Sequence, residues 1–347
     1  MNRFVSWILL GFAIIGIIFT GVFVAMQFGL LNVRGTISDR NNSLRGSEVK
    51  NNDASEKVSR AVLLCRIHVL ANYAPDTARN IYVALQDAQS PDLVQNMIHY
   101  ASQRFVKENR FNQEIEQCNQ GKTVVQTSLT KTAYAWADSE EWSVIKSAFM
   151  RDQEHIIKAA KDAGISPRIL LGGVIGEQFR FFTNARDSFK RYFEPLKILA
   201  SLSQFSFGIA GLKPETVARI DQNLKNPASV FYLGKEMENV VIYPTGSNEE
   251  DVRFNRITDT KNTYYSYLYA GLFMRQVSAQ WAKSDVDISK NPGVLATLYN
   301  LGFNRSIPKT EPRIGGAPIT VNGQQYTFGD LAHEFYYSGE LMDIFPY

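Results

Sequence analysis

The stretch "PRILLGGVIGEQFRFF", Pro167 to Phe182, sets one acidic residue, Glu177, into an otherwise apolar, glycine-laden segment. Ser166 followed by Pro167 is a helix start, because serine caps and proline is tolerated at the first helical position. On that helix Leu170, Val174, Glu177 and Phe181 fall at i, i+4, i+7 and i+11, so the carboxylate lies on the apolar stripe. Burial disfavours an ionised carboxylate, which is the condition for a glutamic acid that holds a proton near neutral pH and delivers it to a leaving oxygen. A second reading stays open: a glutamate at the edge of the stripe, paired with Arg180 or another base. Gly172, Gly173 and Gly176 each cost a helix interior about 0.5–1 kcal/mol relative to alanine. Such a helix needs close packing against another helix, or the close approach of a ligand, to form here.

Upstream of this helix, helical signals run from Glu140 to Ala163, and Gly164 supplies a stop. Further upstream, from Val58 to Cys118, Leu63, Ile67 and Leu70 share a helical face, Asp76 is placed to cap a second helix, and Ser90-Pro91 starts another. Downstream, "PETVARIDQNLKN" reads as a short helix, and the polar segment "YPTGSNEEDVRFNRITDTKN" precedes a long aromatic helix from about Thr263 to Ala282. Asn291-Pro292 opens a short helix that Gly302 ends. In the tail, "APITVNGQQYTFG" places Asn-Gly between alternating β-formers, the signature of a hairpin. The expected fold class is mainly α.

The N-terminus has a different composition. From Phe4 to Leu31 the chain carries no charged residue. A run of that length crosses a hydrocarbon core of about 30 Å as one helix. A cleaved signal peptide is the rival, but its apolar region is usually shorter and ends at a small-x-small site, which "FVAMQFG" supplies poorly. An uncleaved single-pass anchor (residues 1–33) is therefore favoured, followed by a polar linker (34–57) with the composition of a solvated tether. Arg3 on one side and Arg34 and Arg40 on the other leave the positive-inside count undecided. Cys65 and Cys118 form a disulfide if the body faces an oxidising compartment, or stay buried thiols if they do not meet.

With 347 residues, 45% hydrophobic and 12% aromatic, the chain is ample for a packed core. Its net charge of +3 comes from scattered acids and bases. No basic block tracks a phosphate backbone, which argues against nucleic acid as a partner. His68, His99, His155 and His333 are dispersed, so neither a metal site nor a cofactor is expected. Tyr264, Tyr265, Tyr267 and Tyr269 crowd one helix and read first as core, with sugar stacking as the alternative.

Two further segments carry a resemblance. "SFGIAGLKPETV" (Ser206 to Val217) and "LATLYNLGF" (Leu295 to Phe303) follow the Glu177 helix in order. Together the three resemble the lysozyme-like superfamily, in particular lytic transglycosylases and related peptidoglycan muramidases. In those proteins a catalytic glutamate at the end of an apolar helix is followed by a Ser-x-Gly-x-x-Gln-[Ile/Leu]-x-Pro-x-Thr segment and later by Ala-Tyr-Asn-Ala-Gly. Here Ser206, Gly208, Leu212, Pro214 and Thr216 match the first segment, and Tyr299, Asn300 and Gly302 match the second. Gly211 stands at the usual glutamine, which removes an amide that in the family lies along the sugar groove; Leu298 and Leu301 replace alanines.

The resemblance spans roughly residues 140–306. It implies a lysozyme-like domain there, preceded by a helical extension (58–139) and followed by a tail (307–347) with the hairpin and a short helix. It further implies Glu177 as the catalytic acid, with Ser206, Gly208, Tyr299 and Asn300 at the glycan, and MurNAc–GlcNAc bonds as the substrate. One carboxylate suffices for a transglycosylase; Asp187 or Glu194 facing Glu177 across a sugar-width gap would instead indicate a hydrolase. The implied setting is the bacterial cytoplasmic membrane with the body on the periplasmic or extracellular side. Glycan strands are then the partner, and other envelope proteins join them on that side. A lysozyme-like scaffold that binds glycan without cleaving it is the alternative.

Overall fold

Short polar side chains start most of the helices. Ser59, Ser90, Ser139 and Asn291 each accept a backbone N–H three residues on, satisfying a donor the helix itself cannot. The structure, a computed structural model, describes residues 36–37, 58–87, 90–120, 132–183 and 209–347. It is mainly helical. In chain order the helices are α1 (Arg60–Tyr73), α2 (Pro75–Gln86), α3 (Pro91–Ser102), α4 (Asn109–Asn119), α5 (Glu140–Arg151) and α6 (Gln153–Ala163). They continue with α7 (Pro167–Thr183), α8 (Pro214–Lys225), α9 (Glu249–Thr258), α10 (Tyr264–Ala282), α11 (Pro292–Leu301) and α12 (Phe328–Ser338). Two small antiparallel pairs accompany them: β1 (Thr36–Ile37) on β2 (Gly315–Gly316), and β3 (Pro318–Val321) on β4 (Gln324–Thr327).

Several expectations are met by local chemistry. Gly164 ends α6 in the left-handed conformation at φ +72°, and Gly302 ends α11 at φ +80°. The β3–β4 hairpin turns through Asn322 and Gly323, both at positive φ, as a two-residue turn of this kind requires. Leu63, Ile67 and Leu70 are buried together.

Other expectations need correction. Asp76 does not cap α2: Ala74 holds the cap position, Pro75 the first turn, and Asp76 pairs with Arg79 instead. The 140–163 stretch is two helices, broken at Asp152. The polar run after Tyr243 contains α9, which Asn248 caps by accepting from Glu250 N–H, with three acids in its positive first turn. Thr36 and Ile37, within the expected tether, pair as β1 with β2. Among the described residues no helix is long and apolar enough to cross a membrane; the expected span, Phe4–Leu31, lies outside them.

α7 is the central helix, touching α5, α6, α10, α11, α12 and β3. Its glycines are spaces for neighbours. A Cβ on Gly173 would strike the Met274 side chain of α10, and one on Gly176 would lie 2.4 Å from the Phe328 ring at the start of α12. Close packing therefore accounts for these two. At its N-terminus Arg168 is fully buried. Its guanidinium donates to the carbonyls of Tyr336, Phe335 and Glu340, each at 2.9 Å, and of Phe345 at 3.4 Å, under the rings of Phe335 and Tyr347. Phe335 and Tyr336 belong to the last turn of α12, whose carbonyls lack intrahelical partners and favour a cation. One side chain thus fastens the C-terminal segment to the start of α7.

The helices before α5 pack on the same core. α2 and α3 touch α12, and Tyr100 sits edge-on to His333 at 4.4 Å and beside Tyr337. A disulfide joins Cys65 to Cys118, closing α1 onto α4 across 53 residues. A loop of that length is worth about 4 kcal/mol on the chain-entropy view. The segment between α8 and α10 is tied down by charge. The Tyr243 hydroxyl donates to Asp221 and lies 2.8 Å from the Tyr269 hydroxyl, Arg253 reaches the same carboxylate, and Arg256 stacks over Tyr265. Burial pushes the Asp221 carboxyl above its ordinary pKa, against the pull of Tyr243 and Arg253.

Candidate functional site

The site forms where α7, the turn before α8, and α11 meet. Glu177 projects from the C-terminal half of α7, after the fully buried Leu170 and Val174. Its side chain is only 9% exposed. Phe181, the next residue of the expected stripe, is 44% exposed, so the apolar face runs out one turn beyond the carboxylate. Arg180, 16% exposed, donates through Nη2 to Glu177 Oε2 and lies over the Phe328 ring at 5.0 Å. The two readings left open for Glu177 are thus combined: it is nearly buried, and it is paired with Arg180.

The turn 209–212 lies directly on the carboxyl. Gly211 has φ +62°, a conformation unfavourable to residues with a Cβ, and a Cβ there would lie 2.5 Å from both the carboxyl carbon and Oε2 of Glu177. A side chain in this position is strained by φ and displaces the Glu177 carboxyl. The Gly211 departure from the resembled pattern therefore has a physical reason in this chain, which is the closeness of backbone to carboxylate. The turn is held from both sides. Gln178 donates to the carbonyl of Ile209 from α7, and the Tyr299 hydroxyl donates to the carbonyl of Ala210 at 2.6 Å from α11.

Tyr299 is buried, 8% exposed. Burial pushes its phenol far above the ordinary value; the nearby Glu177 carboxylate adds to this and Arg180 opposes it. It remains a neutral donor across the physiological range. It meets Glu177 through the turn and through its field. Asn300 faces elsewhere: its Oδ1 accepts from Ala317 N–H at 2.8 Å and pins the corner between β2 and β3. Ser206 and Gly208, and the acids Asp187 and Glu194, lie outside the described residues.

Gln178, Ala210 and Phe328 were not legible as parts of this site. Gln178 holds the turn and Phe328 supports Arg180, and neither carries a sequence signal beyond its adjacency to a helix end. Of the tyrosines on α10, Tyr267 and Tyr269 are buried core, while the Tyr264 hydroxyl donates to Asp162 on α6. His155 pairs through Nδ1 with Thr263 Oγ1, and His333 is packed between Tyr100 and Tyr337. Among the described residues no group of three or more His, Cys, Asp and Glu is placed to hold a metal ion.

The arrangement offers a shielded carboxyl group beside a backbone turn, with a neutral phenol and an arginine among its described surroundings. That is suited to moving a single proton at a partly desolvated position. Comparison with protein-family models, with curated proteins and with solved structures returns no match for this chain.

Proposed function

We propose that this chain is a membrane-anchored, peptidoglycan-cleaving enzyme of the lytic transglycosylase type, with a lysozyme-like helical region at 140–306 and Glu177 as its one catalytic carboxyl. The supporting observation is convergence. Three segments singled out in the sequence, separated by long stretches of chain, meet at one carboxylate: Gly211 covers it, and Tyr299 fixes the turn that carries Gly211. In the reaction, protonated Glu177 gives its proton to the glycosidic oxygen of a MurNAc–GlcNAc link as C1 gains oxocarbenium character. The resulting carboxylate then takes the proton of the MurNAc 6-hydroxyl as that oxygen bonds to C1. A 1,6-anhydro end forms and the acid is regenerated, without water. The apolar run Phe4–Leu31 would anchor the body on the exported side of the cytoplasmic membrane.

A second reading, a glycan-binding scaffold without turnover, is favoured by one observation: the carboxylate of Glu177 is occupied by Arg180. Incubating the full chain in detergent with purified sacculi separates the two. The enzyme releases anhydro-muropeptides, and Glu177→Gln lowers that rate by about 10²–10⁴. Hydrated ends would make it a muramidase. Co-sedimentation without products in the wild type would select the scaffold.

A further inference from the structure

We infer that the exposed stretch 307–313 is a membrane-contact surface, held at anionic lipid headgroups because strand β1 straps the body to the bilayer a few residues beyond the anchor. This rests on the anchored part of the reading above and not on its chemistry. The apolar run ends at Leu31 and β1 begins at Thr36, five residues on. Five residues reach at most about 18 Å, whatever conformation they take. β1 pairs antiparallel with β2, Thr36 opposite Gly316 and Ile37 opposite Gly315. β2 is in turn fastened to α11: the Gly315 N–H donates to Thr297 Oγ1 at 2.9 Å, and next to it the Ala317 N–H donates to Asn300 Oδ1 at 2.8 Å. The leash therefore ends on a fixed part of the core. A body of about 290 residues has a radius of gyration of about 19 Å, so a leash this short cannot turn its far side to the lipid. The surroundings of β2 are the part of the body nearest the bilayer.

The stretch that leads into β2 has the chemistry for that position. It is fixed at both ends: the Ser306 hydroxyl accepts from Trp281 Nε1 and donates to Gln280 on α10, while Ile314 is fully buried and fills the space at Gly293 and Gly329. Between these two no residue from 307 to 313 is buried, and Ile307 is 62% exposed. Pro308 and Pro312 restrict the backbone that presents it. Lys309, Arg313 and the preceding Arg305 are exposed, and their side chains make no hydrogen bond or ion pair among the described residues. Three positive charges against that of Glu311 leave +2 over residues 305–313. On β1 itself Ile37 is 59% exposed. Apolar side chains set among basic ones fit the level at which acyl chains meet anionic headgroups. An anionic glycan would meet the charges but offers no acyl layer to receive the two isoleucines. So small a surface binds lipid weakly when free; on an anchored chain the contact is intramolecular, at an effective concentration on the order of millimolar.

The test uses the full chain in nanodiscs of phosphatidylcholine, with or without phosphatidylglycerol. Cys65 and Cys118 are joined in the disulfide, so one introduced cysteine is the only free thiol. Ile307→Cys carries an environment-sensitive fluorophore, and Val144→Cys on α5, at a residue 53% exposed, is the comparison site. With phosphatidylglycerol present, a doxyl lipid should quench the probe at 307 at least about 3-fold more than the probe at 144. Salt at about 0.5 M, and Lys309→Gln combined with Arg313→Gln, should each cut that difference by about half or more, with thermal unfolding as the check on folding. Equal quenching at the two sites, or a difference untouched by lipid charge and by the two substitutions, overturns the inference. A probe at 307 that responds to added muropeptides and not to doxyl lipid assigns the stretch to the wall polymer and overturns it as well. Carbonate extraction from vesicles is scored separately. A chain that stays in the lipid without preferential quenching keeps the anchor and defeats the contact; a chain that washes out has no anchor, and both fall.

Discussion

The two ends of α7 each carry a charge into the interior, and they treat it in opposite ways. At the N-terminal end Arg168 has four backbone carbonyls from one C-terminal segment and three aromatic rings around its guanidinium. Backbone acceptors held by a packed helix do not rotate away, so this charge is locked. At the other end Glu177 is paired with another side chain, Arg180, which reaches it from a rotatable stem. A buried charge held by backbone acceptors serves the fold; one paired with a side chain depends on a partner that has rotamers of its own. The difference separates the structural charge from the one proposed for chemistry more clearly than burial does.

Three substitutions test that contrast. Arg168→Met should be the most damaging, costing about 3–5 kcal/mol, since several charge-assisted bonds vanish together and the carbonyls they served stay dry. Urea unfolding measures it, and a loss below about 1 kcal/mol would remove the distinction between the two charges. Gly211→Ala should cost about 1–3 kcal/mol through the φ of +62° and the clash with the Glu177 carboxyl. In the same variant, release of anhydro-muropeptides should fall further than stability does, because the carboxyl is pushed off its position.

The smallest effect belongs to a third charge that lies near the surface. Asp162 pairs with Lys158 and accepts from the Tyr264 hydroxyl, and these contacts hold its carboxyl below the ordinary pKa. A carboxylate lowered by folding stabilises above its unfolded pKa of about 3.9 and loses that contribution as the pH falls through the lowered folded value. Asp162→Asn should thus cost under about 1 kcal/mol at pH 7, and the difference from wild type should vanish in acid. Unfolding midpoints taken across that pH range show it.

The elements that the sequence announced are those written by neighbours along the chain. Ser166-Pro167 starts α7, Gly164 stops α6, and Asn322-Gly323 turns the hairpin, because each depends on dihedral angles and hydrogen bonds within a few residues. α9 was missed although Asn248 and its acidic first turn were in view. It lacks an apolar stripe, and it is held by Tyr243, Arg253 and Arg256, whose partners lie on other helices. Arg168 gave no sign either: an arginine one residue after a helix-starting proline looks like a surface charge until the acceptors 167 to 177 residues away arrive.

By itself, then, the sequence determined the helical class, the order of most of the elements, the hairpin, and Glu177 as the acid on an apolar face. Tertiary structure decided what that acid meets. The Gly211 backbone on its carboxyl, the Tyr299 hydroxyl on Ala210 across 89 residues, and the seating of Arg180 on Phe328 exist only once distant segments close on one another. Propensity, caps and periodicity act over one or two turns, whereas contact between a carboxyl and a remote backbone depends on how every intervening element packs.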